Sequence, residues 1–265
     1  MYIKWRSLAK ALGIYRLYQK ILENEVRSLG NIPGHIAFIL DGNRRWARLN
    51  NLPPWMGHKY GAEVVDKVLD WCYELGIKTV SLFVLSTENL AKRDPKEVKQ
   101  LLKIIEEKLD EALYSDKFDK RKVRFKAIGE IDLLPSSIQE KIRQLEEKTK
   151  KYNKRFLNIA IAYGGRREIV DAVKRIIKDA KDGKIDENSF DENMFGKYLY
   201  TADLPQPEPD LVIRTSGEVR ISNFLLWQIA YSELVFLDVY WPEFRKIDLL
   251  RAIRTYQKRQ RRFGK

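Results

Sequence analysis

Six short apolar runs, at residues 35–40, 79–85, 123–128, 156–163, 210–214 and 234–239, alternate with longer stretches whose apolar residues recur with helical period. Runs that are apolar almost throughout, rather than at every second position, predict strands covered on both faces. Strands of that kind separated by helices predict an α/β fold: one domain with a central, mostly parallel sheet of about six strands covered by helices. No internal repeat, low-complexity tract or domain boundary divides the 265 residues, and the proline-rich stretch 204–209 reads as an extended connector.

Local signals place the helices. A proline-containing loop at 50–55 leads to Gly57-His58, and residues 62–75 read as a helix closed by Gly76. Asp94-Pro95 is an N-cap followed by a first-turn proline, opening a helix to about Tyr114. Further helices are predicted at 136–150, at 167–180 with Gly183 as its stop, at 192–199, at 223–230 and at 247–260.

Charge and rare residues narrow the function classes. Fifty Lys and Arg against 37 acids give a formal charge of +13, so the surface should attract phosphates, nucleic acid or anionic lipid. Nothing matches a recognised nucleic-acid motif, and no nucleic-acid partner is expected. Cys72 is the one cysteine, which excludes an intramolecular disulfide and a cysteine-rich zinc site and suits a reducing compartment. Two histidines, His35 and His58, exclude a multi-histidine metal centre.

No apolar run approaches the ~20 residues of a membrane span, and no signal-peptide core is visible, so a cytoplasmic protein, soluble or peripheral at the membrane, is expected. Residues 1–29 place Trp5, Leu8, Leu12, Tyr15, Leu22, Val26 and Leu29 at helical spacing beside basic residues. This N-terminal amphipathic helix can pack on the domain or lie on a membrane surface.

Polar clusters follow the apolar runs at equivalent ends. Asp41-Gly42-Asn43-Arg44-Arg45-Trp46 follows the first, Ser86-Thr87-Glu88-Asn89 the second, Gly164-Gly165-Arg166-Arg167 the fourth, and residues 214–222 the fifth. One such cluster alone reads as a polar turn capping a strand. Four at the carboxyl ends of parallel strands describe a crevice lined by Arg44, Arg45, Arg93, Arg214 and Arg220, and guanidinium groups facing one another need anions between them. Diphosphates fit, with a divalent ion at Asp41. No Walker-type loop or Gly-x-Gly-x-x-Gly is present, which argues against an NTPase or a dinucleotide enzyme. The apolar face of the helix from Pro95 reads either as filled core or as one wall of a slot for a hydrocarbon diphosphate.

Together, 35–47, Gly57-His58-Lys59, Ser86-Thr87-Glu88-Asn89, Asn158-Ile159-Ala160 with 163–166, 210–218 and 220–228 closely resemble the cis-prenyltransferases from about His35 to the C-terminus. The resemblance implies consecutive cis condensation of isopentenyl diphosphate onto an allylic diphosphate such as farnesyl or geranylgeranyl diphosphate, with Mg2+, along a hydrophobic product tunnel. The product would be a long-chain polyprenyl diphosphate, precursor of a glycosyl carrier lipid. Carried over by position, Asp41 is the essential acid that holds the magnesium diphosphate. Gly42, Asn43, Arg44 and Arg45 bind its phosphates, with Trp46 and His58 alongside. Asn89 assists proton removal, and Ser86, Thr87 and Glu88 line the same site. Arg214 and the segment Arg220-Ile221-Ser222 hold isopentenyl diphosphate. Glu233 matches a second metal-linked acid. The tail Arg262-Phe263-Gly264 resembles an Arg-x-Gly element that reaches across a homodimer interface.

The pattern is departed from in places. Arg44 replaces a glycine, as in archaeal and eukaryotic branches; Pro53-Pro54-Trp55 replaces an arginine before Gly57-His58, for which Arg44 is a candidate stand-in; Leu90 replaces an aromatic residue; and the next arginine is displaced into Lys92-Arg93, either of which can contact phosphate. Val219 stands where bacterial relatives often carry histidine. These changes favour an archaeal-type enzyme. Val84, Leu101, Leu102, Ile105 and Leu109 are expected to line the tunnel. The family also contains poorly catalytic binding subunits of heteromers, which lack the aspartate and its neighbours. Asp41, Asn43, Glu88, Asn89 and Glu233 are all present here.

Overall fold

The computed structural model describes residues 14–259. Its six strands are β1 (His35–Ile39), β2 (Thr79–Ser86), β3 (Val123–Ile128), β4 (Arg155–Tyr163), β5 (Leu211–Arg214) and β6 (Glu233–Phe236). They form one sheet in the order β3-β4-β2-β1-β5-β6, and every pairing is parallel. Among the described residues the helices are α1 (Ile14–Leu29), α2 (Asn43–Leu49), α3 (Pro54–Glu74), α4 (Thr87–Lys92), α5 (Pro95–Tyr114), α6 (Lys117–Arg121), α7 (Ser136–Thr149), α8 (Gly165–Lys181), α9 (Glu192–Gly196) and α10 (Lys246–Lys258).

The strands carry apolar side chains on both faces because both faces are covered. All five residues of β1 are buried. Phe38 packs edge-on against Trp241, with ring centroids 6.0 Å apart, and against Phe244 at 6.2 Å. Burial of side chains of this size stabilises by roughly 1.5–3 kcal/mol each. Leu22 and Val26 of α1 are buried, and α1 docks on α10 through Arg254–Glu25 at 3.1 Å and Gln257 Nε2 donating to the Val26 carbonyl at 2.9 Å. The described part of the N-terminal helix therefore packs on the domain; residues 1–13 lie outside the described residues. No described helix is long and apolar enough to cross a membrane.

Two expectations are corrected. Helix α3 begins at Pro54, so Gly57 and His58 belong to a helix rather than to a loop. A Cβ on Gly57 would sit 2.0 Å from the Asn43 carbonyl oxygen, and one on Gly61 2.3 Å from Asn43 Oδ1. These glycines are close-approach points between α3 and α2. The stretch 223–230 is a series of turns, because Ser222, Asn223 and Leu225 hold φ of 50°, 64° and 44°, incompatible with a helix.

Candidate active site

Strand β1 delivers Asp41 to the carboxyl edge of the sheet, where its backbone N–H donates to Thr215 Oγ1 at 3.0 Å. Gly42 follows with φ 99°, and its N–H donates to Asp41 Oδ1 at 2.6 Å. A Cβ there would meet Tyr240 Cδ1 at 2.6 Å, so the position needs glycine on two grounds.

Beside β1, strand β5 places Arg214 level with Ile39. Its side chain is only 4% exposed and donates to Asp41 Oδ2 at 2.7 Å, to Ser222 Oγ at 2.7 Å and to the Arg220 carbonyl. Arg45, one helical turn beyond Asp41, lies 3.3 Å from Asp41 Oδ1 and donates to Glu218 Oε1 at 3.0 Å and Ser216 Oγ at 2.6 Å. Burial raises the Asp41 carboxyl, but the Arg214 hydrogen bond and charge, the Gly42 N–H and Arg45 outweigh it and hold the group below its ordinary value. Asp41 is an anion held between two guanidinium groups.

The loop after β2 forms the opposite wall. Ser86 caps α4, its hydroxyl accepting from the Asn89 N–H at 3.0 Å. Asn223 ties three loops together: its Nδ2 donates to Glu88 Oε1 at 2.9 Å, its Oδ1 accepts from the Arg166 N–H at 2.9 Å, and its carbonyl accepts from the Gly165 N–H at 2.8 Å. The clusters after β1, β2 and β5 thus meet in one crevice, with the cluster after β4 tied to it through Asn223, at neighbouring strands β1 and β5 whose outgoing connections lead to opposite sides of the sheet.

From this mouth a cavity of about 1070 Å³ runs along α5, bounded by β2, β4, α3 and α7. Asp41, Asn43, His58, Ser86, Glu88, Asn89, Arg93, Arg214, Arg220 and Ser222 stand at its polar end; Leu82, Val84, Leu101, Ile104, Ile105 and Leu109 make its apolar wall.

Not every expected residue joins this grouping. Arg44 and Arg45 flank the mouth, bound to Glu97 and Glu218. Trp46 lies outside the cavity lining, its ring 5.0 Å from that of Tyr60. Of the pair Lys92 and Arg93, Arg93 reaches the cavity while Lys92 is exposed at the end of α4. Ile221 packs against the apolar cluster around Phe224 and Leu225, and Thr87 is also outside the lining. Leu102 faces a separate groove with Val98, Pro135 and Ile138, because the apolar residues of α5 span more than one face of the helix.

Glu233 is the clearest correction. In register with Leu211 and Ile36, it sits at the start of β6, at least three residues of strand, about 10 Å, from the edge that carries Asp41. There it pairs with Arg259 at 2.9 Å, so it cannot share an ion with Asp41 of the same chain. Arg262 and Gly264 lie outside the described residues. Glu97 escaped sequence reasoning, and Glu218 and Asn223, though inside the singled-out motifs, carry no role legible there. Glu97 reads in sequence only as a first-turn acid complementing the helix dipole.

The sequence pattern of the family described as "Putative undecaprenyl diphosphate synthase" matches residues 39–264. The chain belongs to the cis-prenyltransferase family. It is 53% identical over 252 residues to a tritrans,polycis-undecaprenyl-diphosphate synthase (geranylgeranyl-diphosphate specific) of Methanopyrus kandleri, covering 95% of this chain and 92% of that one. A synthase of the same description from Methanocaldococcus jannaschii is 51% identical over 253 residues, covering 96% and 90%. Among solved structures, lavandulyl diphosphate synthase from Lavandula x intermedia, in complex with dimethylallyl diphosphate, superposes with a TM-score of 0.83 at 34% identity, covering 88% of this chain and 99% of that one. As a cis-prenyltransferase, the chain is an enzyme of polyprenyl diphosphate synthesis.

The residues of this cis-prenyltransferase fit both a diphosphate and a divalent ion. Arg93 Nε and Arg214 Nε are buried without a hydrogen-bond partner, and Arg44 Nε has only its ion pair with Glu97, so charged donors are available to anionic oxygens. Among the described residues no group of three or more His, Cys, Asp or Glu side chains forms a metal cage. One partly exposed carboxylate at Asp41 suits Mg2+, which binds through one or two carboxylates together with substrate phosphates and water.

Proposed function

We propose that this chain condenses isopentenyl diphosphate sequentially onto geranylgeranyl diphosphate and so makes a long-chain cis-polyprenyl diphosphate, precursor of a glycosyl carrier lipid. The observation that carries the reading is the junction of a guanidinium-rich mouth, centred on the Asp41–Arg214 pair, with the apolar cavity along α5. The geranylgeranyl-specific descriptions of the relatives support the choice of primer.

In this reading Asn43, Arg44, Arg45, His58 and Arg93 receive the allylic diphosphate, while Arg214, Arg220 and Ser222 receive that of isopentenyl diphosphate. Asp41, together with substrate oxygens, would hold Mg2+, which would supply charge stabilisation to the leaving diphosphate. The guanidinium groups stabilise the same charge as the allylic C–O bond breaks and its electron pair leaves with diphosphate. The isopentenyl double bond attacks the allylic carbon, and Asn89 assists loss of the proton that restores a double bond. The lengthening hydrocarbon occupies the cavity lined by Val84, Leu101, Ile105 and Leu109. Within the crevice Glu218, linked to Asp41 through Arg45, is a better second acid than Glu233 for the same chain.

The working form is a homodimer in the cytoplasm, peripheral to the membrane. Val170, Val173 and Ile177 leave an exposed apolar stripe on α8 that a second copy can cover, and exposed Leu17 and Ile21 beside Arg16 and Lys20 on α1 suit a lipid surface. The test is incubation of the purified chain with geranylgeranyl diphosphate, labelled isopentenyl diphosphate and Mg2+. Long-chain product from the wild type and none from Asp41→Ala is expected; equal turnover by both overturns the assignment.

A further inference from the structure

Glu97 lies beside the mouth, paired with Arg44 and Arg93, and its side chain is only 9% exposed. Its Oε1 lies 3.3 Å from Arg44 Nε, 3.3 Å from the Arg93 guanidinium and 3.6 Å from His58 Nε2. Arg93 NH1 also donates to His58 Nε2 at 3.2 Å, which assigns the imidazole proton to Nδ1. Burial and the charges of Arg93 and Arg44 push His58 down to about 3, so it is neutral and adds no charge. Arg93 is itself penalised by burial and by Arg44, and relieved by Glu97. Two guanidinium groups therefore share one carboxylate: Arg44 Nε has only its ion pair with Glu97, and Arg93 Nε lacks a hydrogen-bond partner.

We propose that Glu97 is the internal counterion of the allylic-diphosphate subsite: it holds Arg44 and Arg93 in place when no diphosphate is bound, and it competes with pyrophosphate for them after each condensation. Glu97 is a positioning residue with a second consequence, faster release of the leaving group. The inference rests on the reading of this mouth as a diphosphate site. Removing the charge while keeping an acceptor for Arg93 raises the net charge of the Arg44–Arg93–Glu97 group from +1 to +2. It should therefore tighten anion binding rather than weaken it.

The test is calorimetric titration of the full chain with inorganic pyrophosphate, in the wild type, Glu97→Gln and Glu97→Asp, with parallel single-turnover and steady-state kinetics. Glu97→Gln is expected to bind pyrophosphate about tenfold more tightly. Its steady-state turnover should fall by more than its first turnover, and Glu97→Asp should keep wild-type affinity. Unchanged or weaker binding by Glu97→Gln, or equal tightening in Glu97→Asp, overturns the proposal. If Glu97→Gln fails to fold, Glu97→Ala removes the same charge and is read by the same criterion. A wild type that binds no pyrophosphate and makes no product instead defeats the functional reading on which the proposal rests.

Discussion

The two edges of one sheet carry buried polar groups of opposite kinds. At the amino edge, His35 is fully buried, with Nδ1 2.9 Å from the Gln206 carbonyl and Nε2 2.8 Å from Ser81 Oγ. Asp210 Oδ2 there accepts from the N–H groups of Gly34 and His35 and from Gln206 Nε2, at 2.7, 3.2 and 2.8 Å. The atoms left over, Asn158 Oδ1 and Thr79 Oγ1, are neutral. At the carboxyl edge the leftovers are guanidinium nitrogens of Arg44, Arg93 and Arg214 beside the neutral Asn43 Oδ1. A buried charged donor without a partner is costly, and a fold keeps it where a ligand completes it. In the proposed function, polarity at the amino edge serves the fold, and at the carboxyl edge it serves the chemistry.

The contrast predicts that damage at one edge spares the property served by the other. Asp41→Asn keeps an acceptor for Arg214 and should leave thermal stability near wild type while lowering kcat at least about 10³-fold, roughly 4 kcal/mol, in an incorporation assay. His35→Ala should do the reverse. It unpairs Ser81 and leaves a cavity, costing about 3 kcal/mol in denaturant unfolding, with turnover per folded molecule unchanged.

Acid probes the same edge. Burial holds His35 down at about 4, well below the 6.5 of an unfolded histidine. The unfolded chain therefore takes up a proton first as pH falls. His35's share of the stability, fully present above pH 6.5, should drop by about 1.4 kcal/mol per pH unit toward pH 4, until His35 itself protonates, and His58, held down at about 3, should add a slope of the same sign. A pH series of unfolding free energies checks this, and a flat profile across the window contradicts it. The smallest energetic effect belongs to the cavity wall. Val84→Phe should shorten the product with little change in the first condensation, whereas Leu102→Phe, facing the separate groove, should leave length unaltered by chromatography of the products.

The carboxyl-edge crevice was legible because four of the six apolar runs end in polar clusters, and strand direction alone brings such ends together. The misread features depend on contacts between distant segments. Gly57 reads in sequence as part of the approach to a helix, yet it sits inside α3, where Asn43 approaches so closely that no side chain fits. Residues 223–230 have helical composition, but Asn223 is held by Glu88, Gly165 and Arg166, and its positive φ excludes the helix. Glu233 carries the motif's acid, while strand register sends it to the wrong edge for Asp41. Glu97 gives no signal until α5 is laid beside Arg44 and His58.

The most direct measurement is a pairing of melting temperature with labelled isopentenyl diphosphate incorporation for Asp41→Asn and His35→Ala, each with and without geranylgeranyl diphosphate and Mg2+. The expected result is a crossed one: Asp41→Asn melts like the wild type and makes no product, while His35→Ala melts lower, is restabilised by the ligands and still makes long-chain product. Loss of activity in folded His35→Ala, or wild-type turnover by Asp41→Asn, would contradict the division of labour between the two edges.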